Sequence, residues 1–261
     1  MVRGVGQFYP GESALHGLDP RAKIVASVAL VVGVFLVGSV WGFLFFAGFI
    51  ALMVRVSGVP VRRFLAFLRP VLFIIALTIF FQVLFSREGN LLFELGFVRI
   101  FDGGLATGAY LAARIVVLVM SAALLTATTA PVNLTDGIED LLSPLKRFRF
   151  PAHEVAMMMT ITLRFIPTLD EEAQKIMRAQ AARGAEFSEG GLIRRARALV
   201  PILIPLTVGA FRRADELAEA MESRGYRGGE GRTRYRELAF RRRDVLTLAV
   251  VAAVIVAAAL L

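Results

Sequence analysis

The chain contains no cysteine. Disulfide frameworks, cysteine zinc sites and thiol nucleophiles are therefore excluded. Histidine is nearly absent too, with only His16 and His153. His153-Glu154 opens like a metalloprotease helix, but the partner position carries Met157 and His16 is distant in sequence, which argues against a catalytic zinc site. The glycine-rich stretch Gly225 to Gly231 lacks the Gly-Lys-Ser/Thr ending of a phosphate loop. It reads as a flexible exit from a helix. No cleavable leader is expected, because Met1 to Pro20 carries Gly4, Gly6, Pro10, Glu12 and Asp19 and has no apolar core before Ile24.

What the chain has is apolar sequence in long blocks. Of its 261 residues, 57% are hydrophobic, and the mean hydropathy is +0.67. Such blocks mark segments that treat lipid as their solvent. The net charge is +9, which admits nucleic acid, an anionic lipid surface or an acidic protein partner. The apolar blocks disfavour nucleic acid.

Ile24 to Val54 is almost unbroken apolar sequence. A single helix of that length would extend about 46 Å at ~1.5 Å per residue, against a hydrocarbon core of about 30 Å. Gly38-Ser39 and Trp41-Gly42 lie in its middle. The expectation is two short spans joined by a tight outer turn, with Trp41 as an interface anchor; one long tilted helix is the alternative. Val56 to Arg69 reads as a basic loop or interfacial segment, and Pro70 opens a span running to about Phe85. Ser86 to Gly104 reads as an external connection. Leu105 to Thr128 is a further span with Arg114 inside it, and Val245 to Leu261 is a last apolar stretch.

Lysine and arginine placement sets the orientation. Arg21, Lys23, the Val56–Arg69 loop and the Pro131–Arg243 region are basic, whereas the outer connections carry only Arg87 and Arg99. Five spans then put the N-terminus and the long charged region inside and the C-terminus outside. The expected fold is all-α: a multi-pass membrane protein with about five transmembrane helices and a cytoplasmic domain of long amphipathic helices. Residues 1–130 form the N-terminal transmembrane domain, 131–243 the cytoplasmic domain and 244–261 the last span. The cluster Arg232, Arg234, Arg236, Arg241, Arg242 and Arg243 suits lipid head groups and topology.

Within the charged region, Asn133, Thr135 or Asp136 can cap a short helix over Asp136 to Lys146, whose Ile138, Leu141, Leu142 and Leu145 share one face. Phe150-Pro151 ends that unit. Ala152 to Arg183 reads as a longer helix with a stripe of Val155, Met158, Met159, Thr162, Phe165 and Ile166 and a kink at Pro167. Leu192 to Arg224 is a third helical stretch, interrupted by Pro201 and Pro205. Apolar stripes of this length must be buried against each other, the membrane interface or a partner.

Both long helices close on a small residue, an arginine and a glycine: Ala182-Arg183-Gly184 and Ser223-Arg224-Gly225. Glycine suits the left-handed residue that ends a helix, and arginine complements the negative end of its dipole. An arginine presented there can also dock as a rigid fork into partner carboxylates. Arg114, within a span, should face protein or water; it is a candidate for contact with another subunit or for an internal partner.

These triplets resemble the two arginine signatures of the transmembrane (T) subunits of energy-coupling factor transporters, the EcfT family. The likeness extends to Leu15–Lys23, Leu134–Glu139, Leu163–Leu169 and Phe211–Ala218, and so to nearly the whole chain. The second triplet has serine where the usual form has alanine. The resemblance implies a non-enzymatic subunit in the cell membrane, bound to two cytoplasmic ABC ATPases and one membrane-embedded substrate-binding S component. Arg183 and Arg224 would be the ATPase-docking arginines, flanked by Ala182, Gly184, Ser223 and Gly225. ATP and magnesium would be bound by the ATPases, with no cofactor in this chain. Movement of the ATPases would pass through the two helices to the S component and drive uptake of a vitamin or other micronutrient. Met157, Met158 and Met159 offer soft packing for different S components, or are ordinary filler. A T subunit dedicated to one substrate, of the cobalt or biotin type, is the near alternative. A membrane scaffold without transport is the alternative of a different class.

Overall fold

The computed structural model describes residues 8–95, 98–144, 151–185, 187, 191–228 and 239–261. The chain divides into two compact units. The first comprises Gly6–Gly137 and Leu238–Leu261, and the second is built on Ile138–Glu237.

The first unit begins with helices α1 (Pro20–Leu36) and α2 (Val40–Val56), joined through Val37-Gly38-Ser39. The long apolar run therefore breaks where its length exceeds a bilayer. Asp19 caps α1 through the Arg21 N–H at 2.9 Å, and Ser39 caps α2 through the Gly42 N–H at 3.0 Å. Trp41, in the first turn of α2, is 75% exposed.

The segment read as a basic loop contains a helix, α3 (Val61–Leu68), which passes through a 3₁₀ turn at Arg69–Val71 into α4 (Leu72–Phe85). The reason lies in its period. Phe64 is buried in the core while Arg62 and Arg63 on other faces are exposed, so the segment is strongly amphipathic and folds as a helix with its apolar face turned inward. The external connection holds an antiparallel hairpin, β1 (Leu91–Leu95) and β2 (Val98–Phe101). The Asp102 carboxylate accepts the N–H groups of Asn90 and Gly103, both at 2.7 Å, and so closes the hairpin onto α5 (Asp102–Thr128).

Helix α5 packs against α1, α2, α3 and α4, and the last helix, α9 (Arg242–Leu260), packs against α1 and α2. Their shared core includes Leu30, Val34, Phe46, Phe64, Leu124 and Val251. Many other apolar residues are exposed: α4 has no buried residue, and Phe73, Ile74, Phe80 and Phe85 all face outward. A helix apolar on every face, with its backbone bonded internally, is what hydrocarbon solvent demands. Val61–Phe85, Asp102–Thr128 and Arg242–Leu260 are long and apolar enough to cross a membrane, and Val40–Val56 is a shorter apolar helix.

Helix α6 (Pro131–Leu142) starts earlier than the Asp136 entry expected from Asn133, Thr135 and Asp136. Pro131 opens it, because the first turn has no use for the missing N–H. Those three residues lie inside the helix, where the Thr135 hydroxyl donates to the Pro131 carbonyl at 3.1 Å. Leu145, Lys146, Phe150, Gly229–Gly231, Arg232, Arg234 and Arg236 lie outside the described residues.

The second unit is dominated by α7 (Ala152–Ala182) and α8 (Leu192–Ser223). α7 continues through Pro167, and α8 is not interrupted by Pro201 and Pro205. Each proline removes one backbone hydrogen bond, but all three are exposed. The ring therefore has room, and the freed carbonyl is not trapped in a core.

Candidate functional site

The two arginine-bearing helix ends share one backbone geometry. Arg183 closes α7 at φ −89°, ψ 8°, and Arg224 closes α8 at φ −89°, ψ 9°. Gly184 and Gly225 follow with φ of +86° and +75°, a left-handed conformation that glycine adopts without a Cβ penalty. After α7, the Ala185 N–H donates to the Gln180 carbonyl and the Gly184 N–H to Ala181, both at 3.0 Å. After α8, the Tyr226 N–H donates to Met221 at 3.0 Å and the Gly225 N–H to Glu222 at 2.9 Å. This pair of bonds is the Schellman closure, which satisfies the last carbonyls with backbone donors alone.

The arginine side chains are thus not needed to end the helices. Ala182, Arg183, Gly184, Ser223, Arg224 and Gly225 are all exposed. Each arginine stands on the rigid end of a helix of 31 or 32 residues, with small neighbours that let another backbone approach. A planar guanidinium on such a base is suited to a bidentate grip on a carboxylate.

Helices α7 and α8 hold each other by contacts that the sequence pattern did not reveal. The Arg213 guanidinium donates to the Glu172 carboxylate across the pair. Gly209 is buried beneath Glu172, whose Oε1 would lie 3.1 Å from a Cβ placed there. Glu172 and Arg213 are 41 residues apart, so no local spacing rule joins them. Nearer the end of α8, a cleft is lined by Met157, Ile161, Leu217, Met221, Arg224 and Tyr226. Met157 and Met159 are half-buried, whereas Met158 is 57% exposed. The methionine run therefore divides, with Met157 lining the same cleft as Arg224 and Met158 facing outward.

Arg114 lies in the first unit. Its guanidinium donates to the Val37 carbonyl at 2.9 Å and to the Tyr110 hydroxyl at 2.6 Å, and stacks 4.7 Å from the Tyr110 ring. Tyr110 meets Phe43 edge to face at 5.1 Å. The charge ties α5 to the free carbonyl end of α1, where the helix dipole is negative. Arg114→Leu removes the shorter of two hydrogen bonds to that part-buried carbonyl, the Tyr110 hydroxyl donating the other at 3.3 Å, at about 1–3 kcal/mol. A lower thermal midpoint, recovered only in part by Arg114→Lys, is expected, because lysine keeps the charge but not the planar stack. Unchanged melting, assembly and uptake in Arg114→Leu would remove any role for the residue.

A second set of buried polar contacts lies at the start of α1. Asp244 of α9, 2% exposed, accepts the N–H groups of Asp19 at 2.8 Å and Arg241 at 2.7 Å. Beside it, Lys23 donates to the carbonyls of His16 at 3.0 Å and Thr128 at 3.1 Å. Asp244 follows three arginines in sequence, so its charge was lost in a basic run that reads as topology alone.

The model of the family described as cobalt transport protein, CbiQ, matches residues 11–235. The chain is 48% identical over 248 residues to a Ruminiclostridium cellulolyticum protein named energy-coupling factor transporter transmembrane protein EcfT, covering 94% of this chain and 92% of the relative. It is 45% identical over 257 residues to the Bacillus subtilis protein of that name, covering 98% and 96%. With the Thermosediminibacter oceani protein, also so named, the identity is 50% over 234 residues, covering 90% and 88%.

Proposed function

This chain belongs to the EcfT family of energy-coupling factor transporter transmembrane proteins, and from that premise we propose that it couples ATP hydrolysis by two cytoplasmic ATPases to micronutrient uptake through a separate S component. As a multi-pass membrane protein it supplies the path for force. α1, α2, α3 with α4, α5 and α9 are read as five spans, with the second unit on the cytoplasmic side. The ATPases bind and hydrolyse the nucleotide, and this chain performs no chemistry.

The observation that carries the reading is the repetition at the helix ends. Two long helices finish in the same closure, and each leaves an exposed arginine that its own fold does not require. One such end is an ordinary helix stop. Two suit a pair of partners with acidic grooves, one docked on each end, with Ala182, Gly184, Ser223 and Gly225 keeping the approach clear. The exposed Met158 and the outward apolar faces of α7 and α8 suit the S component.

The test is purification of the tagged chain with its native partners, followed by reconstitution into vesicles. Two ATPases and one substrate-binding membrane protein should co-purify, and uptake should require ATP. A panel including cobalt, biotin and other vitamins separates a shared subunit from a dedicated one. Partner binding without ATP-driven uptake of any substrate would favour a scaffold and refute the transport reading.

A further inference from the structure

Residues 127–137 carry the chain out of the last span before the charged region and into α6, and backbone bonds and burial fasten them to the N-terminal part of the chain. Ala127, Thr128, Thr129 and Thr135 are all buried. The Tyr9 N–H donates to the Ala127 carbonyl at 3.0 Å, and Lys23 donates to that of Thr128. Gly137 of α6 is seated on the first turns of α1: a Cβ there would lie 3.0 Å from the Pro20 Cβ and 3.1 Å from the Ile24 Cδ1. That same turn of α1 is fixed from behind by Asp244, which accepts the Asp19 N–H from 225 residues away. Two independent observations thus converge on one place. Buried charged side chains bonded to backbone, Asp244 on the Asp19 N–H and Lys23 on the His16 and Thr128 carbonyls, hold the start of α1, and a glycine brings α6 into close contact with it.

We infer that Asp244, Asp19 and Lys23 form the fixed root of the coupling segment, and that Asp244 is a positioning residue for force transmission. The inference rests on the transport reading above. Burying charged side chains is a poor way to gain stability, since apolar residues of similar volume serve as well or better. What it supplies is a unique, directional attachment. A lever needs such a point. If α6 could slide on α1, motion imposed at Arg183 and Arg224 would dissipate at the root and would not reach the membrane spans. ATP would still be hydrolysed, because the docking arginines are untouched.

The test uses the complete reconstituted complex and compares Asp244→Asn and Gly137→Ala with the unmodified protein. Asparagine offers one carbonyl acceptor where the carboxylate offered two, and leaves Lys23 with less counter-charge. Alanine lifts α6 from Pro20 by a few tenths of an ångström. ATP hydrolysis and ATPase association should stay within about twofold, while substrate taken up per ATP falls about tenfold or more, the equivalent of losing one buried charged contact. Amide exchange at Leu134–Gly137 should accelerate in both variants, a readout independent of transport. Parallel loss of hydrolysis and uptake would reduce the cluster to a stability element and overturn the inference. So would an unchanged uptake-to-ATP ratio, or unchanged exchange in both variants. Absence of ATP-driven uptake in the unmodified complex would instead count against the transport reading.

Discussion

Replacing Arg183 and Arg224 together by glutamate is expected to abolish ATPase association and ATP-driven uptake while the membrane protein stays folded. The separation follows from the backbone. Both helix ends are closed by main-chain donors and by glycines at positive φ, and both arginines are exposed. Glutamate at a helix C-terminus opposes the dipole by only about 0.3–1 kcal/mol, so thermal unfolding should move little. At an interface the balance is different. Truncating one partner of a buried charge pair loses about 2–5 kcal/mol, and reversing the charge adds repulsion.

Each single variant should therefore weaken binding at its own site by about 30-fold or more. The other arginine should still hold its partner, so the singles retain partial association and the double retains none. Arg→Lys at either position should fall between, because lysine keeps charge but not the planar fork. Co-purification and uptake in vesicles read both quantities. Normal association in the double variant would show that these ends are not the points of attachment.

The second large effect is expected at Gly42. A Cβ there would lie well inside contact distance of the Ala258 carbonyl oxygen and 3.1 Å from its carbon. The obstacle is backbone of α9, which cannot rotate aside as a side chain can. In lipid, apolar transfer does not drive helices together, so association depends on close packing of small residues. Gly42→Ala should destabilise by about 1–3 kcal/mol, roughly 2–12 °C in thermal midpoint for a protein of this size. Gly42→Leu should prevent α9 from seating and reduce the folded yield severely. Gly48 in the same helix is the internal control: it is exposed, and nothing lies within 4 Å of its Cβ position. Gly48→Ala should be neutral or should stabilise by about 0.5–1 kcal/mol, the ordinary helix preference for alanine. Equal shifts at the two positions would refute the α2–α9 contact.

Some features were open to sequence reading because their causes are local. The 31-residue apolar run from Ile24 to Val54 had to turn at Gly38-Ser39, since one helix of that length overshoots a bilayer. The triplets at Arg183 and Arg224 announce helix ends, because a single glycine at C′ decides the closure. The amphipathic α3 was hidden by its arginines, which resemble a loop until Phe64 is seen to be buried. The prolines misled in the other direction. Pro201 and Pro205 read as interruptions, yet a long helix with exposed prolines absorbs the missing bonds.

The chain by itself therefore determined that this is a membrane protein, where its first apolar run turns, and that two long helices end in arginine. Lipid length, helix period and cap chemistry each act within a few residues, and a linear text records them. Only the tertiary structure decided that Asp244 reaches Asp19, that Arg213 holds Glu172, and that Gly42 and Gly137 are points of closest approach. Those contacts join residues tens to hundreds of positions apart, and their partners are selected by the packing of whole helices, which no local pattern encodes.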